Sequence, residues 1–291
     1  MKINVCFAGG GIKAAAHIGA LKALLEENIK IDATSGASAG SIIAAMQQIG
    51  YTPNEMLEVF KIYAKSINYY DFFNIFKLIS GIISKRKINL DGLNSGKKLE
   101  KLALRICKDK EICHISDIEK PLFIPSVDLK DGKIVIFSSW TNRNLIVDTQ
   151  ILDSDIELGK AIRASCSFPG IFSPYKYKDY QLVDGGVRDN TPWKILKKVN
   201  NNFVLCISFE ETQALKEKYN NILEIIDRTL DVMKYDLFNY KINGVDYLLK
   251  IKTKPISLLD DKKIDYLYEE GYAQTKKYLK DIKAMIHFHK K

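Results

Sequence analysis

Residues 2–50 read KINVCFAGGGIKAAAHIGALKALLEENIKIDATSGASAGSIIAAMQQIG, and the fold is decided there. Lys2 to Ala8 alternates and is rich in β-forming residues, which predicts a strand. Glycines 9 to 11 turn the chain. Ile12 to Glu27 then places Ile18, Leu21, Leu24 and Leu25 at helical spacing. The order repeats at once: a short strand over Ile29–Thr34, a second glycine-flanked turn, and a small-residue helix over Ala39–Ile49 closed by Gly50. A strand, a glycine turn and a helix, twice over, predict a parallel sheet with helices on both faces. The expected class is therefore α/β, a three-layer α/β/α arrangement with a mainly parallel central sheet.

The same periodicities continue outward. Pro53 to Ile83 reads as a long helical region. From Tyr69 through Phe72, Phe76 and Leu78 to Ile83 it is apolar nearly all round, and it ends in Lys85-Arg86-Lys87. Residues 54–87 thus suit either a buried helix or a lid-like, lipid-contacting insertion. Strands are expected at Leu122–Asp128 and Lys133–Ser139, joined by a Lys130-Asp131-Gly132 turn. A helix follows at Ile156–Ser165 and a buried strand at Phe203–Phe209. After these come helix beyond Thr212, a strand near Tyr247–Ile251 and a last helix near Ile264–Met285. Residues 1–291 carry no internal repeat, linker or low-complexity segment, so one domain is expected.

Composition narrows the function. Hydrophobic residues at 46% and charged residues at 27% are usual for a soluble globular chain. No run of 18 apolar residues crosses a bilayer, and Met1–Phe7 reads as a first strand rather than a signal peptide. Five scattered cysteines without a CxxC pair, and four dispersed histidines, suit reduced thiols in a cytoplasm-like compartment and imply neither metal nor other cofactor. The net charge of +9 favours anionic partners. The lysines are spread along the chain without a nucleic-acid motif, which reads as a solvated surface or, alternatively, as a patch for membrane contact.

Three segments carry chemistry. Gly9-Gly10-Gly11-Ile12-Lys13-Ala14 lies between a strand and a helix, where glycines aim successive N–H groups at one point and the helix adds the positive end of its dipole. Such a loop holds a phosphate or an oxyanion. It also fits a G-x-G-x-x-A dinucleotide fingerprint, with Asp32 spaced to meet a ribose. Gly36-Ala37-Ser38-Ala39-Gly40 matches G-x-S-x-G, whose sharp turn lifts the serine oxygen out of the sheet at a helix N-terminus. A plain Ser N-cap is the structural alternative. Val183-Asp184-Gly185-Gly186 places an acid on a tight loop, or is an ordinary Asp-Gly turn. A nucleophilic serine needs a base. His17 lies inside the first helix, His114 follows a charged run, and His287 and His289 sit in the terminal tail, which leaves Asp184 as the partner of Ser38.

Together these segments resemble the patatin-like phospholipase family, which has an N-terminal oxyanion loop, a G-x-S-x-G elbow and a later D-G-G or D-G-A motif. Ala15–Leu21 is similar to the family's first helix, Arg163–Pro169 with Phe172 and Pro174 to the segment before its Asp, and Asn190 and Pro192 to the residues after it. Ala14 departs from the glycine that ends the family's oxyanion motif. The resemblance implies a lipid acyl hydrolase of phospholipase A or lysophospholipase type. Its nucleophile would be Ser38, its base Asp184 with a pKa raised by burial, and its oxyanion hole Gly9, Gly10 and Gly11. The substrate would be a lipid ester, met at a membrane surface by a peripheral protein. Two readings stay open: a lipid-binding relative whose hole Ala14 has spoiled, and a dinucleotide-binding oxidoreductase.

Overall fold

Alternation in the first strand, β1 (Lys2–Phe7), sends Ile3, Val5 and Phe7 into a large core on one face of the sheet and Cys6 into a smaller core on the other. The strand β8 (Phe203–Glu211) lies parallel to it in register and divides the same way. Phe203, Leu205 and Ile207 join the larger core, and Val204 and Cys206 the smaller. Strands buried on both faces explain why these segments read as near-continuous apolar runs. This computed structural model describes residues 1–66, 91–140, 150–211, 222–254, 256 and 261–289. The apolar stretch Phe72–Ile83 lies outside the described residues.

The remaining strands are β2 (Lys30–Gly36), β3 (Leu122–Asp128), β4 (Ile134–Ser138), β5 (Gln150–Asp153), β6 (Tyr175–Tyr177), β7 (Tyr180–Asp184) and β9 (Tyr247–Thr253). The main path of the sheet runs β5-β4-β3-β2-β1-β8-β9. Five neighbouring pairs are parallel, and the antiparallel ones are β3 with β4, β3 with β7, and β6 with β7. The helices are α1 (Ala15–Glu26), α2 (Ala39–Gln48), α3 (Pro53–Ser66), α4 (Lys97–Lys108), α5 (Leu158–Ser165), α6 (Ile222–Lys241) and α7 (Ile264–His289). The larger core holds residues of α1–α5 and α7, while the smaller one is closed by Trp193, Ile195 and Leu196 together with Ile242 and Val245 just after α6. The three-layer α/β/α class expected from the sequence is the one observed.

The crossing of α1 and α7 is unusually close. A methyl group on Gly19 would lie 1.9 Å from the Tyr268 carbonyl oxygen, and one on Gly271 would lie 1.9 Å from that of Ala16. The two glycines therefore let the helix backbones touch. This contact fixes α1, which starts at the glycine loop.

Two segments differ from the sequence reading. Tyr180–Asp184, expected to end in a loop, is a strand whose last residue is Asp184. Lys97–Lys108 is a helix that the sequence reading passed over, although Leu99, Ala103 and Ile106 mark its buried side.

Candidate active site

Strand topology brings the sequence-predicted residues together. The edge of β3 that faces away from β4 is shared by two strands. β2 runs parallel to it, pairing Thr34 with Leu122 and Ser35 with Phe123. β7 runs the opposite way, pairing Asp184 with Ser126 and Val183 with Val127. Their C-terminal ends thus face each other along one edge, across Ile124 and Pro125. Ser38 follows the end of β2, and Asp184 is the end of β7.

Ser38 has φ 51° and ψ −131°, a backbone conformation that a side chain adopts only under constraint. The glycines around it remove every atom that would block this corner. A methyl on Gly36 would meet the Gly40 carbonyl oxygen at 2.3 Å, and one on Gly40 would meet that of Phe7 at 2.3 Å. The Ser38 hydroxyl makes no cap hydrogen bond to α2, which disfavours the plain N-cap reading. Its backbone is tied down instead. Ser38 N–H donates to Ser165 Oγ at 3.1 Å, Ser165 Oγ donates to the Pro125 carbonyl at 2.6 Å, and Ser41 Oγ donates to the Ser38 carbonyl at 2.6 Å. Among the described residues the hydroxyl itself has no hydrogen-bond partner, so the expected bond to Asp184 is not closed here. Catalytic hydrogen bonds commonly tighten only in the substrate complex.

Asp184 is buried, with 2% of its surface exposed. Its N–H donates to the Ser167 carbonyl at 3.0 Å, and its Oδ1 accepts from Gly186 N–H at 2.7 Å. Gly185 presses on Pro125, where a methyl would come within 2.3 Å of the carbonyl oxygen. Asn190 links this turn to the first glycine loop. Its carbonyl accepts from Gly9 N–H at 3.2 Å and its Nδ2 donates to the Gly9 carbonyl at 3.2 Å. Its Oδ1 lies 2.4 Å from the position of a methyl on Gly9 and 2.8 Å from one on Gly186. The same Gly9 methyl would lie 3.0 Å from Ser38 Cβ, and the Gly186 methyl 3.0 Å from Asp184 Oδ1. One asparagine side chain therefore spans the serine and aspartate corners. Cys166 supports the same placement: burial first, and then the Asp184 charge, push its thiol pKa far up.

The glycine loop divides its tasks. Gly9 spends its N–H on Asn190, so its contribution is the absence of a side chain rather than a donor. Gly11 holds φ 56°, and the N–H groups of Gly10 and Gly11 have no acceptor among the described residues. Ala14 sits at φ −59° and ψ −17°, ordinary right-handed backbone, so its methyl does not disturb the loop and packs into the core. Asp32 is not placed to serve a dinucleotide. It lies four residues before the end of β2, about 13 Å short of the turn at the rise of a strand. Its carboxylate accepts from Asn200 Nδ2 at 3.0 Å and Asn202 Nδ2 at 2.8 Å. Among the described residues no group of three or more His, Cys, Asp or Glu could hold a metal ion. No described helix is long and apolar enough to cross a membrane.

His17 is fully buried against Phe7 and Phe209. Its Nε2–H donates to the Ala8 carbonyl at 2.9 Å, just before the glycine loop. Burial lowers its pKa from 6.5 to about 4, so it is neutral in the fold at pH 7. The unfolded chain takes up this proton near pH 6.5. Stability from His17 is therefore complete above that pH and falls as the pH drops from 6.5 towards 4, by roughly 3 kcal/mol in all. Urea unfolding at pH 7 and pH 4.5 should show this loss, and His17→Gln should flatten it.

Sequence reasoning singled out Ser38, Asp184 and Gly9–Gly11 but gave no role to Ser165 or Asn190. Both lie in segments that the resemblance had marked, yet only the folded chain shows what they bond.

Comparison with known proteins points to one family. The model of the patatin-like phospholipases matches residues 5–197. The uncharacterized protein YqhO of Bacillus subtilis (strain 168) is 28% identical over 244 residues, covering 80% of this chain and 81% of that protein. Probable lipid hydrolase 463L of Invertebrate iridescent virus 6 is 30% identical over 205 residues, covering 68% of this chain and 64% of the viral protein. Among solved structures, VipD from Legionella pneumophila shares the fold at a TM-score of 0.55 and 14% identity, over 99% of this chain and 67% of VipD. The type III effector ExoU does so at 0.51 and 15%, over 96% of this chain and 53% of the effector.

Proposed function

The chain belongs to the patatin-like phospholipase family, and from that premise we propose that it is a serine acyl hydrolase of lipid carboxylic esters, of phospholipase A or lysophospholipase type. Lipid hydrolysis is the family-level function. The finer assignment rests on one observation: Ser38 and Asp184 stand at the facing ends of β2 and β7 on one edge of β3, spanned by Asn190.

In this reading Ser38 Oγ attacks the ester carbonyl carbon as Asp184 takes its proton. The oxyanion is held by the N–H groups of Gly10 and Gly11. Each such donor is worth about 10²–10³ in rate in known hydrolases. Collapse of the tetrahedral intermediate breaks the ester bond, and Asp184 returns the proton to the leaving alcohol. Water then attacks the acyl-serine, giving a proton to Asp184; collapse of the second tetrahedral intermediate breaks the bond to Ser38 Oγ and releases the fatty acid as Asp184 returns that proton to Ser38. The strained Ser38 backbone and its bond to Ser165 hold the nucleophile in place before substrate arrives. Burial of Asp184 keeps water from competing for its oxygens. The substrate is presented by a membrane or micelle, and the net charge of +9 suits an anionic surface.

A fluorophosphonate probe tests the assignment. It should label the wild-type protein, leave Ser38→Ala unlabelled, and label Asp184→Asn slowly. A folded wild-type protein that resists the probe, and releases no fatty acid from phospholipid vesicles, would sink it.

A further inference from the structure

A second feature lies at the same end of the sheet. β9 is the edge strand beside β8, and both run parallel to β1, so their C-terminal ends share the side of the glycine loop. The two places are close. The Phe209 ring of β8 lies against Gly10, where a methyl would meet it at 2.6 Å, and Phe209 pairs in register with Ile251 of β9. Directly after Ile251, between the edge of β9 and α7, is a cleft of about 380 Å³. That volume is within the range of small-ligand sites. Lys252, Lys254, Lys277, Tyr266, Gln274 and Tyr278 form its walls, with Thr253 and Glu270.

One side-chain amide ties the two walls together. Gln274 on α7 accepts from Lys252 N–H at 2.9 Å and donates to the Lys252 carbonyl at 2.7 Å, so one amide closes the open edge of β9 and sets the width of the cleft. Glu270, the one acidic wall residue, accepts from Gln274 Nε2 at 2.8 Å. The lysines divide. Lys252 is spent on Glu210 at 3.5 Å. Lys254 lies over the Tyr266 ring at 5.7 Å and Lys277 over the Tyr278 ring at 5.4 Å. No carboxylate of the described residues pairs with either one. A ring face positions an ammonium group without neutralising it. The cleft thus holds two exposed lysine ammonium groups beside two tyrosines, which is the chemistry of a phosphate site.

The geometry points to this cleft as a subsite for the anionic phosphate headgroup of a membrane lipid, beside the hydrolytic corner. As a substrate class it rests on the proposed hydrolase reading; as a binding site it does not. The test keeps the two apart by measuring binding in the Ser38→Ala protein, which cannot consume its ligand. Sedimentation with phosphatidylcholine vesicles containing phosphatidylglycerol should weaken about 25-fold in Lys254→Gln/Lys277→Gln, at about fivefold per lysine near an anionic surface. Binding to vesicles of phosphatidylcholine alone should not change. Lys254→Arg/Lys277→Arg should keep most of the affinity. Lys97→Gln/Lys98→Gln, which removes two exposed charges from α4, should cost much less. The proposal is overturned if the two double glutamine variants weaken vesicle binding equally, since bulk charge would then explain it. It is also overturned if inorganic phosphate titrates the cleft while vesicle binding ignores the lysines, since the ligand would then be a soluble anion. Failure of ester turnover with the vesicle result intact would instead remove only the hydrolase reading.

Discussion

Ser38→Ala is expected to abolish ester turnover, on the order of a 10⁶-fold loss in kcat, as when a hydrolase loses its nucleophile. Asp184→Asn should cost about 10²–10⁴-fold, the range for a general base. The pair should be far from additive, because the base has nothing to activate once the hydroxyl is gone. The Ser38→Ala/Asp184→Asn protein should therefore be no slower than Ser38→Ala alone. Kinetics with a defined phospholipid and with a soluble ester would check this. Neither substitution should unfold the chain. Ser38 Oγ makes no hydrogen bond among the described residues, and asparagine keeps the Oδ1 that accepts from Gly186. Activity near wild-type in Asp184→Asn would remove the aspartate from the mechanism and leave Ser38 in need of another base.

The second large effect is on stability. Gly271→Val should cost about 3 kcal/mol or more, because the new atoms would enter the α1 backbone, with the first methyl 1.9 Å from the Ala16 carbonyl oxygen. No flexible side chain can swing away there. Thermal unfolding should fall by roughly 5 °C for a chain of this size. Gly170→Ala is the control. Its φ of 82° opposes a side chain but nothing lies within 4 Å, so only the backbone term of about 1 kcal/mol should appear. Equal effects at the two sites would mean that backbone preference, not the helix contact, sets the cost.

The contrast between these two glycines bears on what a sequence discloses. Gly9–Gly11 and Gly36–Gly40 were legible because local chemistry explains them: each follows a strand, opens a helix and needs little beyond its neighbours to be understood. Gly19 and Gly271 were not, since each is explained by a helix some 250 positions away, and periodicity carries no such information. Asp184 is an intermediate case. Its side chain and following glycines marked it as a candidate, but Tyr180–Asp184 is a strand because β6 pairs with its first residues and β3 offers its last ones an edge that β2 leaves free. Asn190 was visible as a residue and silent as to role, because its four contacts belong to two loops far apart in sequence. Lys97–Lys108 needed no tertiary knowledge at all. Leu99, Ala103 and Ile106 have the spacing of a buried helical stripe, and the lysines around them obscured it.

The end-to-end meeting of β2 and β7 makes the site sensitive to alignment in a stepwise manner. Successive residues of a strand point to opposite sides of the sheet, so sliding β7 one position along β3 would turn the carboxylate away from the serine, and sliding it two would restore the side but displace it by about 6–7 Å. Only three residue pairs with β3 and the short hairpin to β6 set that alignment. The same one-residue slip would also carry Leu182 out of the large core, so the packing of β7 and the aim of its terminal carboxylate are fixed by a single choice of partners.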